Sequence, residues 1–314
     1  MADPKTNHPG SSHFLRGYLL IFIAVFFWGG SASLAKYLFT TRFDTVIISQ
    51  TRTTLSFVLL AGYFLIADRS IFRIQWSDLY RFASIGVIGV AVTNYAYYFT
   101  VSESTVAAAI LTQNTAPALV TLYAVGISKE ERFDGIKVLA LVLALAGCYL
   151  AVSGGSQKNL SLKGWSLLSG VTSAVCYAFM LLAGKSILRK YSVWTMLVYA
   201  FGFAGVFWLF FNPPWAIAAK GYTWGDWGVL WLFAVVSILI PHGVFSVSLK
   251  LLEASTVAIG TTLEPVIAIV VAYFALGESL NSVQLLGGAS VIGALVLLQL
   301  NQRRIIRRTI GHGD

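Results

Sequence analysis

The chain has 314 residues, of which 57% are apolar and only 11% charged, with a net charge of +9 and a mean hydropathy of +0.75. A soluble domain carries about 25% charged residues, so lipid rather than water must cover most of this surface. The basic balance does not read as nucleic-acid binding, because Lys and Arg sit at the ends of apolar runs and form no aromatic–basic strip that would track phosphates.

Residues 1–16, with Pro4, Pro9 and Gly10, read as a disordered lead. The first apolar run, from Gly17 to Phe39, is too long for a signal-peptide core and lacks a small-x-small cleavage site, so it is expected to stay as a membrane helix. A helix needs about 20 apolar residues to cross about 30 Å of hydrocarbon. Runs of that length fall at 17–39, 45–67, 79–100, 104–127, 135–153, 164–184, 193–211, 228–250, 255–276 and 282–301. The expected fold class is an all-α polytopic membrane protein with ten transmembrane helices. The longest connection, 212–227, holds Pro213, Pro214 and several tryptophans and is expected at the membrane interface. Cys148 and Cys176 lie inside apolar runs and suggest no disulfide framework.

The chain then repeats itself. An apolar stretch containing Pro117 and ending at Glu130 recurs 148 positions later around Pro265, ending at Glu278. Asn94 and His242 stand at the same offset, and Ser104-Thr105-Val106-Ala107 returns as Ser255-Thr256-Val257-Ala258. Two similar hydrophobic halves are the pattern of secondary transporters. The halves span 17–153 and 164–301, joined by 154–163 and followed by a basic tail, 302–314. Five spans per half is an odd number, so the second half must enter the bilayer from the opposite side. The repeats are therefore expected to be inverted. Placing both termini on one side gives that side sixteen Lys and Arg, against five on the other (Lys36, Arg42, Lys158, Lys163 and Lys220). The bias predicts cytoplasmic termini in an inner membrane, with the Arg303–Arg308 cluster beside anionic headgroups.

With Trp28-Gly29 in the first span, Arg52 in the second, Pro117 through Glu130, and Leu263-Glu264-Pro265 through Leu276-Gly277-Glu278, the chain resembles the drug/metabolite transporter superfamily, specifically its ten-helix exporters with two EamA-type domains. The resemblance covers about 17–301. It implies a central cavity, alternating access, and amino acids or other small metabolites as substrates. The first half departs from the pattern, reading Asn114-Thr115-Ala116-Pro117 where the second reads Glu264-Pro265.

Ionisable groups at mid-bilayer are costly and suggest function. Glu264 is the one carboxylate near the middle of a predicted span. It would couple transport to protons, receive a substrate ammonium, or bond a neighbouring helix beside Pro265. Arg52 reads first as a structural residue bonded to carbonyls or to Glu264, and second as a clamp for a substrate carboxylate. His242 reads as a helix–helix hydrogen bond or a proton relay.

Pro117 cannot donate to the Gln113 carbonyl, nor Pro265 to that of Thr261, so both are expected hinges. Thr112, Gln113, Asn114, Thr115, Thr261, Thr262 and Glu264 crowd these points, which places the substrate cavity between the fourth and ninth spans. The candidate binding set is Trp28, Arg52, Asn94, Tyr98, Gln113, Asn114, His242, Thr261 and Glu264. Trp28 and Tyr98 lead the aromatic candidates, with Tyr95, Tyr177 and Tyr273 behind them. Lys36 and Lys185 are expected to snorkel to headgroups, and Glu130 and Glu278 to act as boundary or gating residues rather than ligands. Gly29/Ser33, Gly170/Ala174 and Ala289/Gly293 read as small pairs that let helices approach.

The leading function is a secondary transporter exporting amino acids or similar small metabolites, with protons as a further expected partner; no cofactor is implied. A passive channel or facilitator is the alternative. A primary pump would carry a Gly-x-x-x-x-Gly-Lys-[Ser/Thr] loop, and a membrane enzyme a reactive set such as His-Glu-x-x-His; the sequence has neither.

Overall fold

The computed structural model describes residues 11–39, 42–131, 133–154, 164–276 and 281–310. Its regular elements are all helical. The first two spans are α1 (Ser11–Phe39) and α2 (Thr45–Ala67), the latter capped by Asp44, which accepts from the Ile47 amide at 2.8 Å. α1 starts at Ser11, ahead of the expected Gly17, so part of the segment read as a disordered lead is helix. The third span joins α3 (Leu79–Ser84) and α4 (Thr93–Glu103) through widened i→i+5 turns at Ile85–Val92. The fourth is broken into α5 (Val106–Gln113) and α6 (Ala116–Thr121), the latter running into wide turns at Leu122–Ile127. α7 (Gly135–Ser153) closes the first half, ending at Gly154 in the left-handed conformation that suits glycine.

The second half repeats these irregularities. It opens with α8 (Trp165–Leu188) and α9 (Val193–Phe211). A short α10 (Pro214–Ala219) lies in the connection assigned to the interface, where Trp215 and Trp224 are exposed. α11 (Trp224–Ala234) joins α12 (Ile240–Leu251) through wide turns at Val235–Leu239. The ninth span is broken into α13 (Ala254–Thr261) and α14 (Glu264–Leu276), and α15 (Ser282–Ile310) completes the chain. α15 runs past Asn301, so much of the expected tail is helical. The side chains of Ser33, Lys36, Tyr273 and Arg303–Arg308, and all of 155–163, Glu278 and Arg132, lie outside the described residues.

Nine stretches among the described residues are long and apolar enough to cross a membrane. The tenth, α2, has 23 residues, about 35 Å of helix. Its first half reads Ser49-Gln50-Thr51-Arg52-Thr53-Thr54, all but Thr54 buried. Such a polar segment is tolerated at membrane depth because protein rather than lipid surrounds it.

Packing follows the duplication. α1 lies against α12 and α14, while α8 lies against α4 and α6; α2 pairs with α9, and α7 with α15. Exchanging the halves leaves this pattern unchanged. α7 and α15 meet at Gly147 and Gly287, where a Cβ on Gly287 would come within 2.4 Å of the Ala151 nitrogen. Gly170 and Gly29 likewise sit tight against Thr112 and α14. Gly293 faces open space instead, so the close approach on α15 is made by Gly287 and not by the expected Ala289/Gly293 pair.

Polar ties hold the connections. Lys137 Nζ bonds Glu131 and Glu253, each at 2.8 Å, and Glu131 also accepts from the Ser255 amide and hydroxyl. Lys185 does not reach outward to headgroups; its ammonium caps the end of α12, bonding the carbonyls of Leu249 at 2.7 Å and Leu252 at 2.5 Å. Glu130 pairs with Arg189 at 2.7 Å. Lys190 bonds Gln75 and Asp78, and its hydrogen bond to Asp78 raises the ammonium above its ordinary pKa.

Candidate functional site

Breaks in the fourth and ninth spans stand opposite each other because both carry a proline after a polar stretch. Neither proline sits inside a continuous helix. Pro117 and Pro265 occupy the second position of α6 and α14, where a missing N–H costs nothing. The chain turns just before them, with Thr115 bonding back to the Thr112 carbonyl and Leu263 to that of Gly260.

A narrow cavity of about 50 Å³ lies beside these breaks. Trp28 and Ser31 come from α1, Arg52 from α2, and Gly89 from the wide turns of the third span. Thr93, Asn94, Tyr97 and Tyr98 come from α4, Gln113 from α5, Tyr177 and Met180 from α8, His242 from α12 and Glu264 from α14. Seven of the nine expected binding residues therefore meet in one place. The other two do not. Asn114 donates to the Ile110 carbonyl at 2.8 Å and Thr261 to that of Ala258 at 2.7 Å, and neither lines the cavity. Short polar side chains in a helix satisfy themselves on the preceding turn, so nearness to a proline did not point them inward.

Arg52 is 2% exposed and fixed by residues of both halves. Its Nε donates to Ser237 Oγ at 2.7 Å, Nη2 to the Ser237 carbonyl at 2.5 Å, and Nη1 to Asn94 Oδ1 at 3.0 Å. Its guanidinium carbon lies 4.7 Å from the Tyr98 ring centroid and 5.4 Å from that of Phe233. The reason is Pro241. Ser237 is four residues before it, so the proline cannot donate to that carbonyl, and Arg52 takes the vacant acceptor. Among the described residues Arg52 makes no ion pair with Glu264.

Glu264 is 7% exposed, at the first position of α14. Among the described residues its carboxylate has no hydrogen-bond or ion-pair partner. The equivalent position in the first half is Ala116, fully buried, so the cavity is lopsided in charge. Rings crowd the remaining wall: Trp28 packs edge-on to His242 at 5.3 Å and against Phe245 at 5.1 Å, and Tyr177 stacks on Phe245 at 6.2 Å. Sequence reasoning missed Tyr97 as a lining residue and Ser237 as the anchor of Arg52. Pro241 was the signal for the second, since it frees a carbonyl that some donor must meet.

A helical membrane protein built of two like halves around a polar cavity is, as a class, a transporter. The chain belongs to the EamA-like transporter family, whose model matches it twice, over residues 15–153 and 164–300. It is 26% identical to the threonine/homoserine exporter RhtA of Escherichia coli K12, over 91% of this chain and 92% of that one. It is 24% identical to the uncharacterized inner membrane transporter YicL of Salmonella typhimurium LT2, over 93% and 98%. A solved crystal structure superposes with a TM-score of 0.73 at 15% identity, covering 92% of this chain and 98% of the other, which shows the fold alone. Family and relatives are transporters, not enzymes.

Proposed function

We propose that the protein is a secondary transporter exporting amino acids or similar small metabolites across an inner membrane, with both termini in the cytoplasm. The observation that carries this reading is the Glu264 carboxylate, unpaired among the described residues and buried in a cavity beside two broken helices. A charge is not kept at membrane depth without a use or a partner, and among the described residues Glu264 has no partner. Transport proceeds by alternating access between inverted halves. At about 50 Å³ the cavity is far below the roughly 300 Å³ of a ligand pocket, so a metabolite enters only when one side opens. The breaks before Pro117 and Pro265, and the wide turns at Ile85–Val92 and Val235–Leu239, supply hinges on both sides. Glu264 exchanges a proton during the cycle, which couples export to the proton gradient.

The relation to RhtA makes threonine and homoserine the first probes. In proteoliposomes preloaded with unlabelled threonine, external labelled threonine is expected to accumulate transiently above equilibrium. Such counterflow requires a saturable carrier. A linear, unsaturated leak would instead identify a passive pathway and contradict alternating access.

A further inference from the structure

The two charged groups of the cavity differ in what they have left to offer. Arg52 has spent its side edge, Nε and Nη2, on Ser237 and its Nη1 on Asn94, while rings of Tyr98 and Phe233 lie near its guanidinium carbon. A carboxylate is gripped best by two parallel N–H groups of one guanidinium edge, and the Nε/Nη2 edge is taken by Ser237, which leaves at most the terminal Nη1/Nη2 pair. Glu264 lines the cavity, and among the described residues its carboxylate has no competing donor. The same cavity is lined by Trp28, Tyr97 and Tyr177, aromatic side chains of the kind that attract a cation.

We infer that this cavity recognises its substrate by a primary ammonium group, held by Glu264 and the aromatic rings of its lining, and that a substrate carboxylate is dispensable. The inference rests on the transport reading of the same cavity and narrows its substrate class. Amino acids, their amides and simple amines all carry the recognised group; N-acylated amino acids do not. Occupation by an ammonium also excludes a proton from Glu264, so substrate and proton use the one carboxylate in turn.

The test is ligand-induced thermal stabilisation of the purified full-length protein in detergent, using matched sets of L-amino acids, their carboxamides and their N-acetyl derivatives. At least one amino acid and its amide are expected to stabilise the protein with similar affinity, and the N-acetyl form to bind about 100-fold more weakly, because it leaves a buried carboxylate unmatched. The stabilisation is expected to vanish in Glu264→Gln and to persist, weakened, in Glu264→Asp, which separates loss of the charge from loss of the fold. Binding of N-acetyl derivatives as tight as that of the amines overturns the inference. So does stabilisation unchanged in Glu264→Gln, or none from any amine. Amine stabilisation without counterflow of any stabilising amine would instead leave the inference standing and reject the transport reading.

Discussion

Arg52→Ala is expected to destabilise the folded protein by about 3 kcal/mol and to abolish transport. The guanidinium makes three hydrogen bonds that join α2 and α4 of the first half to the wide turn of the second. Removing it strands the Ser237 carbonyl, which Pro241 cannot satisfy, and leaves Asn94 Oδ1 without its donor. Charge-assisted bonds are worth about 1.5–3 kcal/mol each, and truncation adds the cost of the buried groups left behind. Arg52→Lys is expected to fall in between, since an ammonium cannot reproduce the planar fork. The decisive control is Pro241→Ala on the Arg52→Ala background. It restores an N–H to the Ser237 carbonyl and is expected to recover part of the loss in detergent thermal unfolding. An Arg52→Ala protein as stable as wild type would show that the guanidinium does not hold the halves together.

Lys137→Met is expected to cost about 3–5 kcal/mol, the range for removing one partner of a buried ion pair. The Lys137 and Glu131 side chains are each 7% exposed, and the ammonium also bonds the half-exposed Glu253. The methionine keeps the shape but leaves Glu131 charged and buried. Glu131→Gln added to Lys137→Met removes that stranded charge, and the double variant is expected to regain most of the lost stability. Equal destabilisation in the single and double variants would mean that packing, not charge, is what Lys137 provides. Thermal unfolding midpoints of wild type, Lys137→Met and the double variant decide it.

Much of this was legible from residue order. Apolar length alone located the helices, and the 148-residue offset aligned Asn94 with His242, which both line the cavity. Prolines placed the breaks, though not their form. A proline inside an apolar run reads as a kink, whereas here each helix ends before it and a new one starts with the proline in its first turn.

Partners across the halves were illegible. Arg52 and Ser237 are 185 positions apart, and no local pattern joins a guanidinium to a serine carbonyl. Tyr97 was hidden by abundance: among 14 Tyr, 21 Phe and 9 Trp, nothing in spacing separates a ring that lines a cavity from one that faces lipid. Asn114 and Thr261 failed for a local reason, because their own helices supplied acceptors closer than the cavity.

The proposed link between substrate movement and protons runs through Glu264. It is tested most directly by efflux of labelled threonine from proteoliposomes, with and without an imposed pH gradient, in wild type and Glu264→Gln. Saturable efflux that the gradient accelerates is expected in wild type, with a Gln variant that does not respond to the gradient. Saturable efflux indifferent to both the gradient and the substitution would contradict it, leaving a facilitator in which Glu264 carries no coupling.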